Sequence, residues 1–135
     1  MSKDYDQIVV IDIEATCWDD KPPPGEENEI IEIGLCLLDV ATGERGARDS
    51  LLVRPERSRV SPFCTQLTTL TQAQVDGGVT FKEACTTLRR KYQTKDRAWA
   101  SYGDYDRAQF LRQCQAAGIG LPFSSSHLNV KAILA

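Results

Sequence analysis

Gln7-Ile8-Val9-Val10-Ile11-Asp12-Ile13-Glu14-Ala15-Thr16 decides how the rest of this chain reads. Ile8 to Ile11 is a continuous β-branched run, the pattern of a strand covered on both faces. Successive strand side chains point to opposite sides, so Asp12 and Glu14 share one side. An ionised carboxylate at the edge of such a core is costly unless something compensates it. A divalent cation does so: Mg²⁺ takes oxygen ligands, and one or two carboxylates plus substrate phosphates suffice to hold it. Taken alone, the D-I-E triplet reads equally well as a strand end with Glu14 in solvent.

Working outward, Asp19 to Glu27 contains Pro22-Pro23-Pro24-Gly25 and reads as a polar loop. Glu29 to Val40 is a second strand, Ala41 to Glu44 a turn, and Arg48 to Arg54 a third strand, so the last two form a hairpin. Ser61-Pro62 then opens a short helix with Phe63, Leu67 and Leu70 on one side, and Thr71 to Val75 adds another turn. Thr80 with Glu83 is a capping box for a helix from Phe81 to Tyr92. Arg97 to Tyr102 reads as a fourth strand. A helix running to Ala117 follows, with Phe110, Leu111 and Cys114 as its apolar stripe and Gly118 as its stop. A fifth strand near Leu128 to Val130 leads into Lys131 to Ala135, which has the look of a helix start. This alternation predicts a single α/β domain with a mixed sheet over residues 1–135.

Composition agrees with that reading. The chain has 135 residues, 41% hydrophobic and 26% charged, as in a soluble globular domain. It has no apolar run of membrane-spanning length and no signal-peptide layout at Met1, so a cytoplasmic location is expected. The five cysteines are odd in number and widely spaced, which argues against a zinc site or a disulfide framework. Cys36, Cys85 and Cys114 fall within apolar patterns and read as core. A net charge of −3 gives no global nucleic-acid signature, although Arg54, Arg57 and Arg59, Arg89-Arg90-Lys91, and Arg107 with Arg112 form local basic groups.

A third acidic centre lies in Gly103-Asp104-Tyr105-Asp106, between the fourth strand and its helix. Asp104 is placed to cap that helix, and Asp106 falls in its first turn, where the helix dipole favours an anion. If the first and fourth strands are neighbours, Asp106 also approaches Asp12 and Glu14. The three carboxylates then make a site for one or two hard cations.

The blocks Val10 to Cys17 (VIDIEATC), Asn28 to Gly34 (NEIIEIG), Phe63 to Gly78 (FCTQLTTLTQAQVDGG) and Ser101 to Asp106 (SYGDYD) resemble the DEDDh 3′→5′ exonucleases. They are most similar to the Eri-like branch, which includes the histone-mRNA and sporulation-inhibitor exonucleases. The resemblance implies an RNase H-like three-layer fold whose five-stranded sheet has the order 3-2-1-4-5. It implies Asp12, Glu14 and Asp106 as catalytic ligands of two Mg²⁺ or Mn²⁺ ions. It further implies hydrolysis of terminal phosphodiesters of single-stranded RNA or DNA, RNA weakly favoured, with release of nucleoside 5′-monophosphates. Ala15, Thr16, Leu67 and Thr68 match positions that meet the 3′-terminal nucleotide, and Tyr105 is placed to add an aromatic contact to it. For Leu67, a plain core leucine remains an equal reading.

The chain departs from the family pattern at the third motif. No His-x4-Asp occurs, and the one histidine, His127, precedes Leu128-Asn129-Val130-Lys131-Ala132 and reads as structural or surface. The resemblance therefore implies a chain short of the C-terminal helices that carry the general base and the fourth acid. It also implies sheet surface left open for self-association. The alternative is a non-catalytic relative that binds nucleic-acid ends or a protein.

Overall fold

A computed structural model describes residues 6–131. The strands are β1 (Gln7–Ala15), β2 (Ile30–Asp39), β3 (Arg45–Leu52), β4 (Trp99–Ser101) and β5 (His127–Asn129). The helices are α1 (Pro62–Thr68), α2 (Gln72–Asp76), α3 (Phe81–Lys91) and α4 (Tyr105–Ala117). The sheet order is β3-β2-β1-β4-β5, with β1–β2 and β2–β3 antiparallel and β1–β4 and β4–β5 parallel. This is the mixed five-stranded sheet of the RNase H-like exonuclease fold, as the motifs implied.

Local chemistry accounts for the elements. Thr80 Oγ1 accepts from the Glu83 amide at 3.1 Å, and the Thr80 amide donates to Glu83 Oε1 at 3.0 Å, so the capping box forms in both directions. A second box, Thr71 with Gln74, starts α2. The hairpin turn is tied by the Thr42 amide to Asp39 Oδ1 at 2.9 Å, and Gly43 takes a φ of 74° there. β3 begins at Arg45, earlier than Arg48, because the ladder resumes at Leu38↔Arg45 after a register shift. β4 is shorter than expected, since its parallel pairing with β1 spans only Val9↔Trp99 and Val10↔Ala100. The expected helix after Lys131 lies outside the described residues.

Most of the core lies on one face of the sheet. Val9, Ile11 and Ile13 of β1 and Ile33, Leu35 and Leu37 of β2 pack with Phe81, Leu88, Phe110 and Cys114 from α3 and α4. Trp99 and Phe123 stack with centroids 4.1 Å apart, and Phe110 meets Phe123 edge-on at 4.9 Å. On the other face, Ile31, Cys64, Leu70 and Val75 make a smaller cluster beneath α1 and α2. Leu51 and Leu52 are neighbours in β3 yet join different clusters, which fixes the two faces as opposite. The rest of this second face is thinly covered: Ile8, Val10, Cys36 and Leu38 are only half-buried. Cys36 is thus not a core residue, because its parity in β2 turns it away from α3 and α4. Cys85 and Cys114 are buried as expected, whereas Leu111 is 40% exposed and stands outside its helix's apolar stripe.

Candidate active site

Asp106 enters the electrostatic field of Asp12 and Glu14 because β4 ends early. Beyond Val10↔Ala100 the β1 edge has no strand partner on that side among the described residues. α4 begins there, and the Asp106 carboxylate takes the backbone amide of Ile13 as a hydrogen-bond donor. Gly103, at φ 90°, makes the turn between β4 and α4. Its amide donates to Asn129 Oδ1 at 3.1 Å, and its carbonyl accepts from Ser101 Oγ at 3.0 Å. Asp12 is exposed, Glu14 half-buried and Asp106 buried.

Their electrostatics show a shared field. Burial pushes the Asp106 carboxyl up to about 6, the Asp12 charge adds to this, and the Ile13 amide opposes it. Glu14 is raised in turn by burial and then by Asp12, Glu32 and Asp106. Glu32, directly opposite Glu14 in the β1–β2 ladder, is a fourth acid at this edge. Reading each strand singly missed it; the pairing of the NEIIEIG strand with β1 is the signal that finds it. Among the described residues, no three potential ligands are gathered tightly enough to hold a metal ion as placed. The donor set nevertheless fits a hard divalent cation: oxygen ligands alone, like-charged, one of them buried and costly to ionise without a counter-charge. Asp12, Glu14 and Asp106 are the residues that would hold it.

The other sequence-derived site residues divide. Ala15 and Thr16 are both buried. Thr16 does not present its hydroxyl to a nucleotide: it lies 2.9 Å from Ser58 Oγ and accepts the Glu29 amide at 2.8 Å. Glu29 in turn accepts from the Ser58 hydroxyl and from the amides of Glu56 and Arg57. Thr16 is therefore a tie holding the exit of β1. Leu67 is 64% exposed, which removes the core reading. α1 docks on that exit through Ser61 Oγ, which donates to the Cys17 carbonyl at 2.7 Å, and through Cys64, whose thiol faces the Ala15 carbonyl. Thr68 Oγ1 donates to the Cys64 carbonyl at 2.9 Å, so its hydroxyl serves α1 itself. Tyr105 is exposed on α4, and Tyr102, which sequence reasoning passed over, is exposed beside it.

One further assignment changes and one is settled. Asp104 does not cap α4 with its side chain: its φ of −99° and ψ of −4° are helical, so the carboxylate cannot turn back onto the first amides. It pairs with Arg107 at 3.5 Å instead. His127 is structural, with Nε2 2.8 Å from Ser101 Oγ and its ring 4.4 Å from that of Trp99. Burial and Arg107 lower its pKa.

With this geometry in place, the Exonuclease family pattern matches residues 9–111. The chain belongs to the exonuclease family. Its place is in the DEDDh, Eri-like branch: it is 35% identical to the human 3′-5′ exoribonuclease 1 over 94% of its length and 34% identical to the Drosophila melanogaster 3′-5′ exonuclease Snipper over 96%. It corresponds to only 39% of the human relative and 54% of the fly relative. The nuclease domain of 3′hExo, a DEDDh family member solved with rAMP bound, superposes with a TM-score of 0.81 at 33% identity. That match covers 96% of this chain and 69% of the other.

Proposed function

We propose that this exonuclease-family chain removes nucleotides from the 3′ end of single-stranded nucleic acid, RNA in preference to DNA, in a divalent-metal-dependent hydrolysis releasing nucleoside 5′-monophosphates. The observation that carries the reading is the meeting of Asp12 and Glu14, from β1, with Asp106, from the first turn of α4, in one electrostatic field. In this reading all three bind the cations. When bound, two Mg²⁺ or Mn²⁺ ions supply water activation and stabilisation of the leaving 3′-oxygen. The chain's own residues do the positioning. Exposed Leu67 and Tyr105 flank the terminal base, and base–aromatic contact of this kind is sequence-tolerant. Asn28, Glu29 and Ser58 hold Ala15 and Thr16 rigid beneath it. The names of the relatives, an exoribonuclease and a domain holding rAMP, support RNA.

The test is degradation of a 5′-labelled single-stranded RNA in Mg²⁺ or Mn²⁺. A ladder shortening from the 3′ end, lost in EDTA and in Asp12→Ala, supports the proposal. An intact RNA that the protein still binds favours the second reading, a non-catalytic binder. One observation favours that alternative: the chain's single histidine is held by Ser101 and Trp99 rather than by the carboxylates. The half-buried Ile8, Val10, Cys36 and Leu38 further support self-association, which sedimentation across a range of concentrations would detect.

A further inference from the structure

At the same end of the sheet as the carboxylates, but on the α3–α4 face, lies an open cleft of about 450 Å³. The start of α3, the middle and C-terminal end of α4 and the loops before β2 and after β3 wall it, and Arg54, Arg57, Lys82 and Arg112 line it. None of these four cations is in an ion pair within 4 Å: the ion pairs among the described residues are Lys91–Asp49 and Arg107–Asp104. Three carboxylates also line the cleft, Glu27, Glu29 and Glu56. Glu29 is already spent on the amides of Glu56 and Arg57 and the Ser58 hydroxyl. The carboxyl of Glu83, at the start of α3, is held down chiefly by its cap bonds to Thr80, and Arg54 adds a smaller share.

Four cations and three carboxylates thus share one concavity, and hydrogen bonds fix Glu29 without cancelling its charge. The lining keeps one positive charge in excess, four against three, in a chain of net charge −3. The floor is polar and fixed. Gln109, almost fully buried, donates to the Asn28 carbonyl at 3.1 Å and to Gln113 Oε1 at 3.1 Å, and it accepts from Arg112. Gln113 accepts the Ile30 amide at 2.9 Å. The positive end of the α3 dipole, at Thr80 and Phe81, adds to the same field.

We propose that this cleft is a second nucleic-acid contact, which grips the phosphate backbone of the strand away from its 3′ end. The proposal rests on the reading that the 3′ end itself sits at Asp12, Glu14 and Asp106. Two features connect the places. Arg112 lies two helical turns along α4 from Tyr105, on the same face. The Asn28–Glu29 segment forms a wall of the cleft and also bonds Thr16 at the exit of β1. Arginine forks and a lysine suit phosphodiester oxygens, and such contacts add affinity without base preference.

The test is the binding of single-stranded RNA of dinucleotide and dodecanucleotide length, followed by fluorescence anisotropy in EDTA so that nothing is cut. Arg57→Glu combined with Lys82→Glu, both at exposed positions, is expected to weaken dodecamer binding about tenfold or more and to flatten its salt dependence. Dinucleotide binding and the melting temperature stay as in the wild type. A dodecamer affinity within about twofold of wild type overturns the cleft, whatever the cleavage assay shows. If the double variant loses dodecamer affinity and the wild type cuts no RNA in Mn²⁺, the exonuclease reading falls while the cleft stands.

Discussion

Glu14 and Glu32 stand directly opposite one another across the β1–β2 ladder, on the same face of the sheet. Ser50 Oγ donates to Glu32 at 3.0 Å, and the Glu32 charge helps to raise the Glu14 carboxyl. Opposed like charges on a sheet destabilise it by about 0.2–1 kcal/mol. Replacing Glu32 with Gln keeps an acceptor for Ser50 and removes the repulsion. The melting temperature in EDTA at neutral pH should rise by about 1–4 °C. The gain should vanish at acidic pH, where the raised Glu14 carboxyl takes up its proton. A melting temperature unmoved at either pH would show that solvent already screens the pair.

Asp106 carries the larger electrostatic cost, and its sign is fixed by its environment. Burial and the Asp12 charge hold its carboxyl at about 6, above the ordinary value of 3.8, so folding favours the protonated form. Its contribution is complete below the ordinary value and is lost as pH rises through about 6. Asp106→Asn should therefore stabilise the protein in EDTA by an amount that grows between acidic and neutral pH. Metal ligands must be deprotonated, so Mn²⁺ should raise the wild-type melting temperature strongly above that range and weakly below it. Calorimetric melts with and without Mn²⁺ measure both effects. An Asn variant no more stable than wild type at neutral pH would contradict the assignment.

Leu67 and Leu88 offer a matched pair of truncations. Leu88 is fully buried between α3 and the sheet, and Leu88→Ala should cost about 2–5 kcal/mol. Leu67 is 64% exposed, so Leu67→Ala should cost less than about 0.5 kcal/mol. If Leu67 flanks the terminal base, its loss should instead raise KM for short oligonucleotides. Urea melts and initial-rate kinetics on the two variants separate the cases. A Leu67→Ala protein as unstable as Leu88→Ala would return that side chain to the core.

What the sequence made legible follows from local physics. The β-branched run of β1 and the Thr80–Glu83 box carry their signals within a few residues, and both elements formed where read, although Ile8 and Val10 are only half-buried where a strand covered on both faces was expected. What it hid depends on residues distant in the chain. Thr16 is buried because Ser58, brought in by the loop after β3, meets its hydroxyl. Glu32 joins the acidic edge only through strand pairing, which reading each strand by itself does not bring out. Asp104 failed as a cap for a backbone reason, its helical φ and ψ. Asp106 lay between these extremes: its place in the first turn of α4 was readable, and its depth of burial was not.

His127 provides the sharpest separation of structure from catalysis. Its ring lies against Trp99 and its Nε2 against Ser101, and its titration is coupled to Arg107 and Asp104 rather than to Asp12, Glu14 or Asp106. Burial lowers its pKa, so folding favours the neutral ring. The stability it confers is present above the unfolded value of 6.5 and is lost as pH falls through the folded one. His127→Gln should therefore destabilise the protein by about 1–3 kcal/mol near neutrality. Its penalty should shrink on acidification, because the wild type then carries the cost of charging a half-buried imidazole. The pH profile of any RNA cleavage should keep its shape, since this histidine accepts no proton from the reaction. A variant that folds normally yet loses the acidic limb of that profile would make His127 the general base and overturn the structural assignment.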